Sequence, residues 1–181
     1  MDAKQAEQTL KEADCLFTDG QVKAAIQTMA DEIKAKLADR DPLVLCVMTG
    51  AVIPAGHLLT HLDFPLQVDY IHATRYRGQT KGGKLHWNTR PSHELKGQNI
   101  LIIDDIFDEG ITLSEIVDYC YAEGANEVFT AVLVNKKHDR KEQLKIDYIG
   151  LETEDRYLFG YGMDYHGYLR NAPGIFAVKG M

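Results

Sequence analysis

Residues 100–113 read ILIIDDIFDEGITL, and this stretch decides which kind of fold the chain adopts. It opens with an apolar run typical of a strand that is buried on both faces of a parallel sheet. Asp104 and Asp105 stand where that strand is expected to end, and Asp108 follows a short apolar pair. Gly110 then provides a turn, after which a helical apolar pattern begins. The stretch therefore predicts a strand, a turn and a helix in direct succession.

A strand that ends in acids and turns through a glycine into a helix favours a site for a phosphorylated sugar. Backbone N–H groups of the turn and of the helix start can hold a phosphate. Carboxylates beside that phosphate can accept hydrogen bonds from sugar hydroxyls or help to hold a metal ion. A purely structural role is disfavoured because acids this close together repel one another unless something compensates them.

The composition is that of an ordinary acidic globular protein. The chain has 181 residues, enough for one domain with a sizeable core, and a net charge of −7. Because affinity for nucleic acid comes mainly from neutralising phosphates, we expect no nucleic-acid partner. No apolar stretch is long enough to span a bilayer and the first residues lack a signal-peptide core, so we expect a cytoplasmic protein with no membrane partner. Cys46 and Cys120 lie in apolar patterns and are predicted to be reduced core residues.

Apolar periodicity predicts strands that alternate with helices. The expected helices are an amphipathic segment from Val22 to Leu37 capped by Thr18 or Asp19, a segment after Thr49-Gly50-Ala51 that runs through Leu62, and a segment from Thr112 to Gly124. The expected strands are residues 43–48, 67–73, 85–88, 100–103, 128–134, 146–151 and 175–178. This alternation predicts an α/β fold, with a mostly parallel central sheet flanked by helices, in a single domain spanning residues 1–181. Ligands bind such sheets beyond the carboxyl ends of the strands, which groups three loops into one site: residues 49–51, 104–112 and 135–137.

The loop from Asp104 to Thr112 resembles the ribose-phosphate signature of the type I phosphoribosyltransferases. That signature has two acids, two apolar residues, Asp, a small residue, Gly, any residue and Thr. Residues 155–165, DRYLFGYGMDY, and Lys136 narrow the resemblance to the hypoxanthine-guanine phosphoribosyltransferases, over the chain from about Leu43 to the C-terminus. It implies a purine-salvage enzyme that transfers the 5-phosphoribosyl group from phosphoribosyl pyrophosphate (PRPP) to hypoxanthine or guanine. The products would be IMP or GMP and pyrophosphate.

The same resemblance implies which residues bind PRPP. Asp104 and Asp105 would hold the ribose hydroxyls, and the loop from Asp108 to Thr112 would cradle the 5-phosphate, with Glu109 in place of the usual Thr or Ser. Thr49-Gly50 would bind the pyrophosphate, although many members of the family carry lysine where Thr49 stands. The full implied set is Asp104, Asp105, Asp108, Glu109, Gly110, Ile111, Thr112, Thr49, Gly50 and Arg170.

The resemblance also implies a purine site. Lys136 would donate to the exocyclic oxygen of a 6-oxopurine, Tyr157 would stack on the ring, and Leu158 would offer its backbone to the purine edge, with Met163 in the same pocket. Residues 152–171 would form this purine-binding segment as a small C-terminal hood. Asp108 would be the catalytic base toward the purine ring.

Magnesium is the implied cofactor, with Asp164, Asp104 and Asp105 as the residues that contact it. Arg75, where the family usually has serine, and Tyr76 precede a glycine-rich stretch. The resemblance places both on a flexible lid, a hairpin arm whose loop, residues 74–84, is expected to be mobile and to exclude water from the reacting centre. A homodimer or homotetramer is expected.

Other interpretations were weighed against this one. His57 and His61 have the spacing of a zinc helix, but the residues between them include no glutamate to act as a base, so a solvent-facing pair is preferred. A PRPP-sensing regulator without catalysis remains an alternative function, as does a xanthine-guanine phosphoribosyltransferase. The sequence leaves open the preference between hypoxanthine and guanine.

Overall fold

The computed structural model describes residues 1–75 and 85–180 of the chain. Along the chain its elements are α1 (Ala3–Glu12), β1 (Asp14–Thr18), α2 (Asp19–Leu37), β2 (Leu43–Met48), α3 (Val52–Leu59), β3 (Gln67–Arg75), β4 (Leu85–Thr89), β5 (Asn99–Phe107), α4 (Ile111–Ala122), β6 (Glu127–Lys137), β7 (Tyr148–Glu154), β8 (Leu158–Phe159) and β9 (Gly174–Ala177). None of the helices in these ranges is long and apolar enough to cross a membrane.

A six-stranded sheet in the order β4-β3-β2-β5-β6-β7 forms the centre of the fold. Its strands run parallel, except that β4 pairs antiparallel with β3. The prediction of a mostly parallel sheet flanked by helices is therefore confirmed. The carboxyl ends of β2, β5 and β6 meet at one edge because these strands are parallel neighbours.

A second, antiparallel sheet has the strand order β1-β9-β8. Strand β8 of this sheet comes from the segment expected to form the C-terminal hood, and β9 follows that segment. The outer strand β1, however, comes from the N-terminus. The predicted last strand, residues 175–178, lies here as β9 and not beside β7. Neither β1 nor α1 was predicted, since the apolar residues of α1 are few among polar ones and β1 is a short strand whose partner β9 lies at the other end of the chain.

The buried residues of α2 confirm the apolar pattern that predicted this helix from the sequence. Thr18 is the N-cap of α2, and its hydroxyl accepts a hydrogen bond from the backbone N–H of Gln21 in a capping box. The buried face of α2 consists of Val22, Ile26, Met29, Ala30, Ile33 and Leu37. Cys46 and Cys120 are buried free thiols, as predicted, and burial raises their pKa values to about 11 and about 12.

Several predicted boundaries were wrong. Strand β5 does not stop before the acids but continues through Asp104 and Asp105 to Phe107, so that both carboxylates stand on the strand itself. Helix α3 ends at Leu59 and not at Leu62, because the N–H groups of His61 and Leu62 bond to carbonyls three residues back, in a turn, and do not continue the α-helical pattern. Strand β6 runs longer than predicted, through Lys137, because its pairing with β7 continues past the apolar run.

Candidate active site

A cavity of about 630 Å³ opens at the edge where β2, β5 and β6 end. Its lining includes every residue that the sequence analysis placed in PRPP binding: Thr49, Gly50, Asp104, Asp105, Asp108, Glu109, Gly110, Ile111, Thr112 and Arg170. His72 and Thr74 also line it. The sequence analysis did not single out His72, and it placed Thr74 in the lid loop, whereas Thr74 lies on strand β3. The parallel sheet thus brings together residues that are far apart in the chain.

The floor of this cavity includes the start of helix α4. Gly110 is the N-cap residue with φ 82°, a left-handed conformation that favours glycine, and no side chain caps the helix. A Cβ atom on Gly110 would also lie 2.3 Å from Cε2 of Phe107. The first N–H groups of a helix have no partner within the helix, and they attract anions. Ile111 and Thr112 of this first turn line the cavity, which gives it a place for a phosphate.

Asp104 and Asp105 form a buried pair of carboxyl groups at the cavity wall. Burial first, and then the charge of Asp105, raise the pKa of Asp104 well above its ordinary value. Burial also raises the pKa of Asp105, although a hydrogen bond from Asp104 and the positive charge of Arg170 oppose that rise. The pair therefore holds on to a proton more tightly than free aspartates do, until a cation or hydroxyl donors reach it.

The turn after β2 lies directly beside Asp105. A Cβ atom on Gly50 would lie 2.3 Å from Oδ2 of Asp105, closer than any side chain allows. The carbonyl oxygen of Gly50 in turn faces Gly162, where a Cβ atom would come within 2.0 Å of it. Gly50 is thus held between the acid of β5 and the segment after β8.

Arg170 connects this segment to the cavity. Its Nη1 donates a hydrogen bond to the carbonyl oxygen of Gly162 at 2.6 Å, and its Nη2 lies 2.7 Å from Oδ1 of Asp164. The other oxygen of Asp164 accepts from the backbone N–H of Gly167 at 2.7 Å. Asp164 is therefore an oriented carboxylate that already balances the charge of Arg170.

A second cavity, of about 220 Å³, adjoins the first. It is lined by Asp105, Ile106, Asp108, Lys136, Tyr157, Leu158, Met163 and Asp164. These include all four residues that the sequence analysis placed in purine binding. Asp105, Ile106 and Asp108 line both cavities and form the wall between them.

Asp108 is the centre of a hydrogen-bond network at this shared wall. Lys136 Nζ donates to Asp108 Oδ2 at 3.0 Å and to Asp155 Oδ1 at 3.4 Å. His138 Nε2 lies 2.7 Å from Asp108 Oδ1, and Arg140 pairs with Asp155. Burial raises the pKa of Asp108, but the hydrogen bonds from His138 and Lys136 outweigh it and hold the pKa below the ordinary value.

Asp108, His138 and Asp155 offer ligand atoms within 4.8 Å of one another, a spacing that would also suit a metal ion. The ammonium group of Lys136 donates to both carboxylates, so it supplies the positive charge that such an ion would bring. The trio is therefore part of a hydrogen-bond network around Lys136.

Two sequence expectations need correction or fall outside the described residues. His57 is not part of a solvent-facing pair: it is half-buried, and its ring centroid lies 5.3 Å from that of Tyr161, while His61 lies beyond the end of α3. Arg75 is the last residue of β3. Tyr76 and most of the predicted lid loop, residues 76–84, lie outside the described part of the chain.

The sequence analysis did not single out His138, Gly162 or Tyr161. His138 follows β6 in a polar run without a motif, so no signal could have found it. Gly162 lies within residues 155–165, the segment that carries the family resemblance. A glycine at that position was the signal that could have indicated a close contact with another part of the backbone. Tyr161 donates a hydrogen bond to Asp19 at 2.6 Å across most of the chain's length, a pairing that no local pattern encodes.

Comparison with known proteins agrees with this geometry. Residues 13–166 match the phosphoribosyl transferase domain family. The chain is 32% identical to the hypoxanthine-guanine-xanthine phosphoribosyltransferase of Tritrichomonas foetus, over 91% of this chain and 90% of that protein. It is 30% identical to the hypoxanthine-guanine phosphoribosyltransferase of Bacillus subtilis, over 91% of this chain and 92% of that protein.

Solved structures show the same fold. A hypoxanthine-guanine-xanthine phosphoribosyltransferase superposes with a TM-score of 0.84 at 30% identity, covering 92% of this chain and 96% of that one. A hypoxanthine-guanine phosphoribosyltransferase from Bacillus anthracis gives a TM-score of 0.86 at 27% identity, covering 91% and 98%. The chain therefore belongs to the phosphoribosyltransferase family.

Proposed function

We propose that this protein transfers the 5-phosphoribosyl group from PRPP to hypoxanthine or guanine and releases pyrophosphate. One observation carries the proposal: two adjoining cavities share a wall made of Asp105, Ile106 and Asp108. The larger has the helix start and acids that suit a sugar phosphate, and the smaller has an aromatic residue and a cation that suit a base. The reaction requires a sugar carbon and a ring nitrogen to meet, and the shared wall is where two such ligands would touch.

The larger cavity supplies the contacts for PRPP. The N–H groups at the start of α4 and the hydroxyl of Thr112 would hold the 5-phosphate, and Asp104 and Asp105 would accept hydrogen bonds from the ribose hydroxyls. The turn at Thr49-Gly50 would bind the pyrophosphate. Arg170, which lines the cavity, would supply a positive charge there when Asp164, its present partner, engages the metal ion.

The smaller cavity supplies the contacts for a 6-oxopurine. Lys136 is buried, and its ammonium group can only donate hydrogen bonds, so it suits the exocyclic oxygen of hypoxanthine or guanine and rejects the amino group of adenine. Tyr157, whose ring packs edge-on against Tyr165 at 5.2 Å, would stack on the base. Leu158 would present its backbone to the purine edge, beside Met163.

Asp108 would act as the base toward the purine. Its depressed pKa keeps it ionised at neutral pH, so it can accept a ring proton or a hydrogen bond from the N–H of the base. Asp108 accepts hydrogen bonds from Lys136 and His138. When Lys136 turns to the purine oxygen, Asp108 loses one of these bonds, so its pKa rises and it becomes a stronger base at the time of reaction. The network around Asp108 thus couples base recognition to proton acceptance.

Magnesium suits the donors of this site. Asp104, Asp105 and Asp164 provide carboxylate oxygens, the ligands that Mg²⁺ prefers, and the first two are buried side by side, where a cation would offset the repulsion between their charges. These three residues would hold the ion directly or through water. Bound Mg²⁺ would neutralise charge on the pyrophosphate and make it a better leaving group.

We further propose a cytoplasmic enzyme that forms a homodimer or homotetramer, with residues 74–84 as the lid and residues 152–171 as the purine segment of a single domain. Size-exclusion chromatography with light scattering would distinguish the two assemblies. A monomer at working concentration would contradict this part of the proposal.

One assay tests the proposed activity. Purified protein with PRPP and Mg²⁺ is given hypoxanthine, guanine, xanthine, adenine or uracil, and pyrophosphate release is followed. We expect turnover with hypoxanthine or guanine and little with adenine. Xanthine is included because the relative from Tritrichomonas foetus is named for it. PRPP binding without pyrophosphate release from any base would instead support the sensing regulator.

A further inference from the structure

His138 lies just beyond β6, and its side chain is only 8% exposed. Its Nε2 atom lies 2.7 Å from Asp108 Oδ1. The proposed function gives this histidine no role, although it contacts the residue that would act as the base. A buried histidine in contact with a reacting carboxylate can hold that carboxylate in one orientation, and its hydrogen bonds indicate which ring nitrogen does so.

The backbone N–H of Arg140 indicates which nitrogen of the ring accepts a hydrogen bond. It donates to His138 Nδ1 at 3.2 Å. Because a backbone N–H can only donate, Nδ1 must be the unprotonated nitrogen that accepts this bond. A neutral imidazole then carries its hydrogen on Nε2, the atom that faces Asp108, so Nε2 donates to the carboxylate. The ring therefore presents its N–H to Asp108 and its lone pair to the backbone of Arg140.

The two oxygens of Asp108 have different partners. Oδ1 accepts from His138, and Oδ2 accepts from Lys136 at 3.0 Å. Under the proposed function, Lys136 turns to the oxygen of the purine when the base binds. Asp108 would then retain His138 as the partner that prevents rotation of its carboxylate. Oδ2, released by Lys136, is left as the oxygen available to the purine.

We infer that His138 is a positioning residue for Asp108: a hydrogen-bond donor that fixes Oδ1 so that Oδ2 faces the purine. The inference rests on the proposed function, because it presumes that Asp108 accepts a proton or hydrogen bond from the base. His138 is not among the residues that line the two cavities. Its effect should therefore appear in turnover and not in PRPP affinity.

Two variants of similar polarity test this inference. In His138→Gln the side-chain amide can reach the place of Nε2 and still donate to Asp108. In His138→Asn the amide reaches only the place of Nδ1, so the backbone N–H of Arg140 keeps a partner but Asp108 loses its donor. We expect kcat to fall about 10- to 100-fold in the Asn variant and to stay within about threefold of wild type in the Gln variant. The KM for PRPP should hardly change in either.

The pH dependence of kcat gives a second readout. Loss of a donor to an ionised carboxylate raises its pKa, so the acidic limb should move to higher pH in the Asn variant only. The charged groups around His138 and Asp108 are Lys136, Arg140, Lys141 and Asp155, and both variants retain all of them. His61→Asn is the matched control, since His61 is an exposed histidine beyond the end of α3 and away from both cavities.

The outcomes separate the two proposals. Active wild type with a selective loss in His138→Asn supports the positioning role. Active wild type with equal kcat and equal acidic limbs in the Asn and Gln variants overturns it, whether both are impaired or both are normal. Wild type that is inactive with every base overturns the proposed function, and the role of His138 with it.

Discussion

The α-carbon of Gly50 faces the carboxylate of Asp105 so closely that a Cβ atom there would lie 2.3 Å from Oδ2. Gly50 belongs to the turn after β2, and Asp105 lies on the neighbouring strand β5. The turn expected to bind pyrophosphate and the acid expected to bind ribose are therefore in direct contact. The contact sets the distance between two parts of the PRPP site.

We expect Gly50→Ala to disturb the site without unfolding the protein. The new methyl group would displace either the turn or the Asp105 carboxylate, so PRPP should bind at least about 10-fold more weakly, as a lost charge-assisted contact implies. Gly56→Ala is the matched control: this glycine of α3 has open space around it, and alanine there should stabilise the helix by up to about 1 kcal/mol. PRPP affinity by calorimetry would decide, and unchanged affinity in Gly50→Ala would show that the turn does not help to form the site.

Lys136→Ala should weaken use of 6-oxopurines. Loss of a charged hydrogen bond to the purine oxygen should lower kcat/KM for the purine by an amount that corresponds to about 1–3 kcal/mol of activation free energy. PRPP binding measured without a base should hardly change. Lys137→Ala serves as the control, because Lys137 is exposed and pairs with Glu152. If Lys136→Ala weakens PRPP binding as much as it weakens use of the purine, the lysine mainly supports the fold around Asp108 and Asp155.

Asp104→Asn should stabilise the ligand-free protein while abolishing PRPP use. The pKa of Asp104 is raised by burial and by Asp105, so the folded state binds more protons than the unfolded state and wild-type stability falls as pH rises above the ordinary aspartate pKa. The uncharged variant lacks this fall. Urea unfolding without PRPP or Mg²⁺ should show the variant more stable by about 1 kcal/mol at pH 8, with a smaller advantage at pH 5. A less stable variant at pH 8 would contradict this account of the pair.

Asp69 provides a stability test away from the site. It is buried and accepts hydrogen bonds from Tyr70, Ser92 and His93. Burial raises the pKa of Asp69, but these bonds outweigh it and lower the pKa. The stabilisation is therefore complete above the unfolded pKa of about 3.9 and is lost as pH falls toward the folded value.

Asp69→Asn should consequently lower the free energy of unfolding by about 1–3 kcal/mol at pH 7, because the amide leaves donors unsatisfied. The difference from wild type should narrow below about pH 4. Asp63→Asn is the control, since Asp63 is exposed in its pair with Lys34 and should change little. A constant difference from pH 7 to pH 3 would show that the charge of Asp69 is not what these donors require.

Much of the fold and site could be predicted because the signals are local. The apolar run at residues 100–103, the acids after it and Gly110 lie within one short stretch, and the segment 155–165 is equally compact. The strand boundaries near Asp104 could not be predicted, because pairing with β6 carries the strand past its apolar residues.

Contacts between distant segments explain the rest of what the sequence did not reveal. His138 meets Asp108 because β5 and β6 are neighbours, and Gly162 meets Gly50 because the segment after β8 folds over the turn. Strand β1 joins β9 although the two lie at opposite ends of the chain. Such pairings follow from tertiary packing, which no periodicity in the sequence records.

The central claim is that Asp108 acts as the base in phosphoribosyl transfer to a 6-oxopurine, and Asp108→Asn tests it most directly. Pyrophosphate release is measured with saturating PRPP, Mg²⁺ and the preferred base, and PRPP affinity is measured separately without a base. The account predicts a fall in kcat of about 10²–10⁴-fold with nearly unchanged PRPP affinity, the range typical for loss of a general base. Full turnover in Asp108→Asn would contradict it.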